Sequence, residues 1–300
     1  MASSYPTVTP DQGGATFISK QHNEAYPFIS KANHTGRSIF ITGGARGIGK
    51  SIALSFAKAG ASRIALGDIN EFGNLGQELR DIALENGHNA PLILLFHLDV
   101  TDKRNVAEVA AKVKQEFNAN LDIVIQNAGY SSAQIRILDI DEDDWWTCFR
   151  VNLLGVFHVS KYFVPILLDT TQGLKTVINI NSVASIGVRP YSSNYAASKA
   201  AVLKFTEAFL AEEMGRGLLA ISVHPGAVMS EMTKIAMPQS LFHLFKDPPS
   251  LAGQTIAWLT QERRDWLQGR WISCNWDMEE LLARKQEILG GDKLKMRLKI

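Results

Sequence analysis

Cysteine is scarce in this chain of 300 residues, and its scarcity is the first constraint. Cys148 and Cys274 stand far apart and in no metal-ligand spacing, which argues against a disulfide scaffold or a metal site and for a reducing compartment, the cytoplasm. No apolar run approaches the length of a membrane span, and the N-terminus has neither the basic flank nor the apolar core of a secretory signal. An excess of charge is missing too. The 31 Lys and Arg are matched by 30 Asp and Glu, interspersed along the chain, so no face is expected to attract nucleic acid or an anionic membrane. Internal repeats and low-complexity tracts are absent. What remains is a composition of 46% hydrophobic and 20% charged residues, long enough for one large domain with a substantial core. Its partners are expected to be small molecules or a second copy of itself.

Residues 1–36 are rich in Ser, Thr, Pro, Gly and Gln with scattered aromatics (Tyr5, Phe17, Tyr26, Phe28), which reads as an arm preceding the fold. From residue 37 strand and helix patterns alternate. Apolar strand runs are expected at 38–42, 63–66, 92–98, 121–126, 176–180 and 219–223, with a last one at 269–273. Helices are expected at 50–59, 75–85, 106–117 and 145–168, another opens near Tyr195, and a charged, solvated helix follows at 277–289. The strands are near-continuous apolar runs, as strands covered by helices on both faces must be. The chain therefore predicts a single-domain α/β fold, a doubly wound parallel sheet spanning 37–276, with a helical tail over 277–300.

Between the first strand and its helix lies Thr42-Gly43-Gly44-Ala45-Arg46-Gly47-Ile48-Gly49. Glycines here let the backbone approach a pyrophosphate, whose charge the helix N-terminus meets. The spacing is G-x-x-x-G-x-G. Asp68, about 20 residues on at the end of the second strand, is placed to accept hydrogen bonds from an adenosine ribose. Asp99-Val100 and Asn127-Ala128-Gly129 follow the third and fourth strands, on the edge where such sheets bind ligands. Further on, Ser182 follows a strand, and Tyr195 and Lys199 stand four apart at the start of a helix, on one face. An ammonium beside a phenol favours the phenolate, and a phenol so tuned can give or take a proton. Alone, Tyr and Lys at this spacing describe an ordinary amphipathic pair; their company gives them another meaning.

Taken in order, Thr42-Gly43-x-x-x-Gly47-Ile48-Gly49, Asn127-Ala128-Gly129, Asn152, Ser182, Tyr195-x-x-x-Lys199 and Pro225-Gly226 resemble the successive motifs of the short-chain dehydrogenase/reductase family. The resemblance covers residues 37–275. It implies a Rossmann-type fold, a nicotinamide cofactor, and interconversion of an alcohol and a carbonyl. It further implies Tyr195 as acid/base, Lys199 as its pKa-lowering partner and ribose ligand, Ser182 as the substrate-orienting hydroxyl and Asn152 as anchor of a proton-relay water. Gly43, Arg46, Gly47, Ile48, Gly49, Asp68, Asp99, Val100, Asn127, Ala128, Gly129, Pro225, Gly226, Val228 and Ser230 are the implied cofactor contacts, Ser230 standing where the family has threonine. Ala184-Ser185 departs from the usual Ala-Gly after the serine. The chain's last part resembles fungal members associated with secondary metabolism.

Asp68 favours NAD, since it would repel the 2′-phosphate of NADP; Arg46 could attract that phosphate and keeps NADP possible. The Met- and aromatic-rich segment at 229–245, where family members place a lid, suggests a lipophilic secondary alcohol or ketone as substrate. A homodimer or homotetramer is expected through the long helices. Two other readings remain at this level: a non-redox lyase or isomerase, and a catalytically silent nucleotide-binding protein.

Overall fold

The computed structural model of the chain describes residues 15–188 and 190–298, so Tyr5 and the extreme C-terminus of the expected tail lie outside the described residues. Seven strands form one parallel sheet: β1 (Ser38–Thr42), β2 (Arg63–Asp68), β3 (Leu92–His97), β4 (Ile123–Gln126), β5 (Thr176–Ile180), β6 (Leu219–His224) and β7 (Trp271–Ser273). Their order across the sheet is β3-β2-β1-β4-β5-β6-β7, so the chain's progression across the sheet reverses between β1 and β4 and leaves a crevice at their C-terminal ends. β1, β4 and β5 are buried at every residue, as apolar runs between two helical layers require. β3 departs from that pattern. As the edge strand it exposes Leu92 and Leu95 while Ile93 stays in the core.

The helices are α1 (Gly47–Lys58), α2 (Leu75–Glu85), α3 (Lys103–Glu116), α4 (Glu142–Phe149), α5 (Gly155–Asp169), α6 (Ser193–Glu213), α7 (Glu231–Ala236), α8 (Pro249–Thr260), α9 (Met278–Ala283) and α10 (Lys285–Gly290). Two buried clusters lie on opposite faces of the sheet. One holds Ile52, Phe56, Leu251 and Ile256; the other holds Val106, Val113, Phe163 and Leu167.

Three expectations change. The helix expected at 145–168 starts earlier, at the cap of Asp141, whose carboxylate accepts from Asp144 N, and α4 and α5 are joined by a π-helical turn, Arg150–Leu154. The resulting 28-residue span, Glu142–Asp169, is apolar enough by length and composition to cross a membrane, contrary to expectation, yet 61% of its apolar window is buried inside the protein. The helix expected at 277–289 is two short ones broken at Arg284, and it is not merely solvated: Met278, Leu281 and Ile288 are buried.

What covers them is the segment before β1. Ile18 and Ile29 join the same core cluster, Arg284 stacks on Phe17, and Trp276 Nε1 donates to Ala15 O at 2.7 Å. Lys20 and His22 both pair with Asp277, and Gln21 bridges antiparallel to Trp276. Residues 15–29 and 276–288 thus pack on each other beside β7.

Candidate active site

The C-terminal edge of the sheet gathers most of the residues singled out from the sequence. At its centre, β1 turns into α1 through a loop in which Gly43 and Gly47 have φ of +65° and +56°. A Cβ on Gly43 would lie 2.8 Å from Asn127 Nδ2, and one on Gly49 2.0 Å from Gly43 O, so neither position tolerates a side chain. Gly47 is different: nothing stands within 4 Å of where its Cβ would be. Arg46 precedes the helix without capping it, so no side chain of the capping residue occupies the first N–H groups of α1. An open, positively polarised backbone cradle of this kind fits a pyrophosphate.

Asp68 ends β2 beside that cradle and is buried. Its Oδ2 accepts from Ala45 N at 2.9 Å, and its Oδ1 accepts from Asn70 N and Nδ2 at 2.9 and 2.8 Å. The carboxylate therefore shapes the glycine loop. Arg46 is exposed, and it is one of the charges felt by Glu231 on α7, whose carboxylate is held below its usual range mainly by the hydrogen bond and charge of Lys234. Asp99 folds back on its own turn, accepting from Thr101 N and Oγ1, while Val100 O accepts from His158 Nδ1 on α5.

Asn127 proves to be a stitch between strands. Its Nδ2 donates to Thr42 O and Gly43 O, and Thr42 Oγ1 accepts from the backbone N–H groups of Asn127 and Ala128. Gly129 follows, where a Cβ would come within 3.3 Å of Asn152 Oδ1 and 3.6 Å of Lys199 Nζ. Three elements meet there.

Asn152 is buried in the π-helical turn. Nδ2 donates to Tyr130 O at 2.8 Å and Ser198 Oγ at 3.0 Å, and Oδ1 accepts from Tyr130 N at 2.9 Å. Both amide protons are committed to protein atoms, so the side chain serves to hold the β4 exit loop against α6. Lys199 and Asn181 cross-brace β5 and α6: Lys199 Nζ donates to Ile180 O at 2.9 Å, and Asn181 Nδ2 to Lys199 O at 3.0 Å. Burial pulls the Lys199 ammonium down to about 8. Its Nζ lies 5.8 Å from the centroid of the Tyr195 ring. Ser182 caps a short 3-10 turn, its Oγ accepting from Ala184 N at 3.1 Å, which leaves the hydroxyl proton for another acceptor.

On the far wall, Pro225 and Gly226 leave β6, and Ser230 caps α7 by accepting from Thr233 N. Val228 is buried and bridges Asp247. Several supports escaped the sequence reading. Tyr130, pinned by Asn152, also donates its phenol proton to Asp144 Oδ1 at 2.6 Å, a bond that helps raise that phenol to about 12. Asn181 was discoverable, standing one residue before Ser182; Tyr130, Asp144 and Asp247 carry no local signal.

Comparison with known proteins agrees with this geometry. The short chain dehydrogenase family profile matches residues 37–240. The chain is 40% identical over 291 residues to the short chain dehydrogenase citE of Monascus ruber, covering 96% of this chain and 98% of that one. It is 39% identical over 298 residues to the short chain dehydrogenase pigC of the same species, covering 97% of each. Among solved structures, carveol dehydrogenase from Mycobacterium avium in complex with NAD superposes with a TM-score of 0.69 at 22% identity, covering 81% of this chain and 97% of that one. Sheet order, glycine cradle and the match over most of its length place this chain in the short chain dehydrogenase family.

Proposed function

We propose that the protein is an NAD-dependent oxidoreductase that interconverts a lipophilic secondary alcohol and the corresponding ketone, in fungal secondary metabolism. The observation that carries the reading is the buried Lys199 ammonium, held on Ile180 O beside the Tyr195 ring, with Ser182 delivered by the same strand end. Positive charge in a water-poor site stabilises the Tyr195 phenolate, so that oxygen takes the proton of a substrate hydroxyl, or returns it to a carbonyl oxygen in the reverse direction. Ser182 donates its free proton to the same substrate oxygen and orients it. Nicotinamide, when bound, supplies the hydride acceptor or donor. Gly43, Gly47 and Gly49 would give a bound pyrophosphate its backbone contacts, Asp68 would take the adenosine ribose, Asp99 and Val100 would flank the adenine side, and Ser230 would hold the carboxamide. Asn152 holds Tyr130 and Ser198, and through Ser198 Oγ, which donates to Tyr195 O, the first turn of α6.

Asp68 supports NAD over NADP because a buried carboxylate already committed to the glycine loop would face a 2′-phosphate as a like charge. Arg46 is exposed, and its charge is shared with Glu231 on α7. Exposed apolar side chains support a lipophilic substrate: Ile137 and Leu138, with Arg136, Pro190, Tyr191 and Ser193, line a cleft of about 350 Å3 at the start of α6, and Ile235 and Leu244 are exposed on the segment after Ser230. That segment is joined to the β4 exit loop by Gln134 N donating to Ala236 O. Both Monascus ruber relatives match over nearly the whole chain, which supports the fungal setting.

Turnover of a panel of bulky ketones and alcohols, followed at the reduced-nicotinamide absorbance band, tests the proposal. Tyr195→Phe should lower kcat by a hundredfold or more while NADH still binds, since only the ionisable oxygen is lost. The parent should prefer NADH in kcat/KM, and Asp68→Ala should move the preference towards NADPH. Near-parental turnover by Tyr195→Phe would refute the acid/base assignment; a tenfold NADPH preference in the parent would refute the reading of Asp68.

A further inference from the structure

Behind the Pro225-Gly226 turn stands a carboxylate with no catalytic assignment. Asp247, just ahead of α8, is buried, and among the described residues no Lys, Arg or His forms an ion pair with it. Its hydrogen bonds go to backbone and amide. Oδ2 accepts from Ala227 N at 2.6 Å and from Asn275 Nδ2 at 2.9 Å, while its own N–H donates to Ala227 O at 3.0 Å. Both backbone groups of Ala227 are thus gripped by one residue. Gly226 has φ of +93°, and a Cβ on it would fall 2.7 Å from the same Oδ2, so the turn is pressed against the carboxylate.

The grip continues to the N-terminal segment. Asn275 Nδ2 donates to His22 O at 3.1 Å, and His22 N donates to Asn275 O at 2.7 Å. His22 in turn meets Asp277 through Nε2 at 2.7 Å. A hydrogen-bonded path therefore runs from the segment before β1, through Asn275 and Asp247, to the backbone that enters the site at Ala227. A buried carboxylate without a cation is costly, and a charge-assisted bond to a backbone N–H is stronger than a neutral one. Such a group belongs where backbone placement must be exact to fractions of an ångström.

Resting on the cofactor reading above, we propose that Asp247 is a positioning residue for the nicotinamide half of the cofactor: it fixes residues 226–230, and Asn275 ties that segment to the N-terminal segment. The adenosine half would lie over β1 and β2 and would not depend on it.

Binding of NADH and of ADP-ribose, which lacks only the nicotinamide, separates the two halves. Measured by calorimetry on the full chain, Asp247→Ala should weaken NADH at least tenfold and leave ADP-ribose within twofold. Asn275→Ala should act in the same direction and less strongly. Asp247→Asn keeps an acceptor for Ala227 N and should fall between parent and Asp247→Ala; it carries the comparison if the alanine variant does not fold. If the parent binds both ligands and the variants weaken both equally, or neither, the inference is overturned and the cofactor reading survives. A parent that binds neither overturns the cofactor reading and this inference with it.

Discussion

Lys199 carries a positive charge into a place from which water is largely excluded. Desolvation pulls its pKa from 10.5 to about 8, and its ammonium donates to a backbone carbonyl, Ile180 O. Between those two pH values the unfolded chain holds a proton that the folded chain has released, so stability rises with pH across that window, and below pH 8 the penalty is present in full. Its size is on the order of 3 kcal/mol, a large share of a normal folding free energy. Lys199→Met should therefore be at least as stable as the parent at pH 7, while turnover falls at least a hundredfold. Urea unfolding of both proteins at pH 7 and pH 10 checks this: the parent's advantage of alkaline over neutral conditions should exceed the variant's. A variant clearly less stable at pH 7 would mean that the ammonium stabilises the fold. On the proposed reading the residue trades stability for the electrostatics of Tyr195, and no packing argument would place a lysine there.

Residues 15–37 behave as an element of the fold although no helix or strand lies among them. His34, buried near their end, donates from Nε2 to Ala257 O on α8 at 2.9 Å and meets Phe56 of α1 edge-on, with ring centroids 4.6 Å apart. Nδ1 is buried without a partner, and burial holds the ring neutral, with its pKa lowered to about 4. From pH 6.5 down to 4 the unfolded chain takes up a proton that the folded chain refuses, so stability falls as pH falls through that interval, by about 3 kcal/mol. Replacing it, as in His34→Gln, should flatten the decline; denaturant midpoints at pH 7, 5.5 and 4.5 for both proteins measure it. An unchanged acid slope would assign the decline to other groups.

Nothing in residues 15–36 announces this role, because their partners, α8, Trp276 and Asp277, are remote in sequence. The glycine loop, Tyr195-x-x-x-Lys199 and the apolar strands were legible because each depends on neighbours a few residues away. The π-helical turn was not: the apolar pattern runs unbroken through Leu153, and only packing shows that the extra residue per turn swings Asn152 inward to Tyr130 and Ser198. Asp247 was hidden for the same reason, its partners Ala227 and Asn275 lying on other elements.

At the scale of the molecule, the 28-residue span from α4 to α5 shows what the monomer leaves uncovered. Most of its apolar side chains face the core, but Trp146, Leu154 and Phe157 remain 47%, 40% and 43% exposed. Lys161 lies over the Phe157 ring at 5.8 Å, continuing the same strip along α5. Phe205 and Phe209 stack with each other on the neighbouring long helix, α6, and are only partly buried. An apolar strip with a charged border along two long helices matches the make-up of an interface between subunits, and a stable one buries roughly 800 Å2 on each side. We therefore expect a dimer or tetramer formed through these helices, with two copies of the strip facing each other across a two-fold axis. Phe157→Glu places a charge in the middle of that contact while leaving the core untouched, and should weaken self-association tenfold or more with little change in the far-UV circular dichroism. Light scattering at micromolar concentration decides it. The parent should give a multiple of the 33.1 kDa chain mass and Phe157→Glu a shift towards the monomer; a parent that scatters as a monomer would leave the strip as ordinary exposed surface.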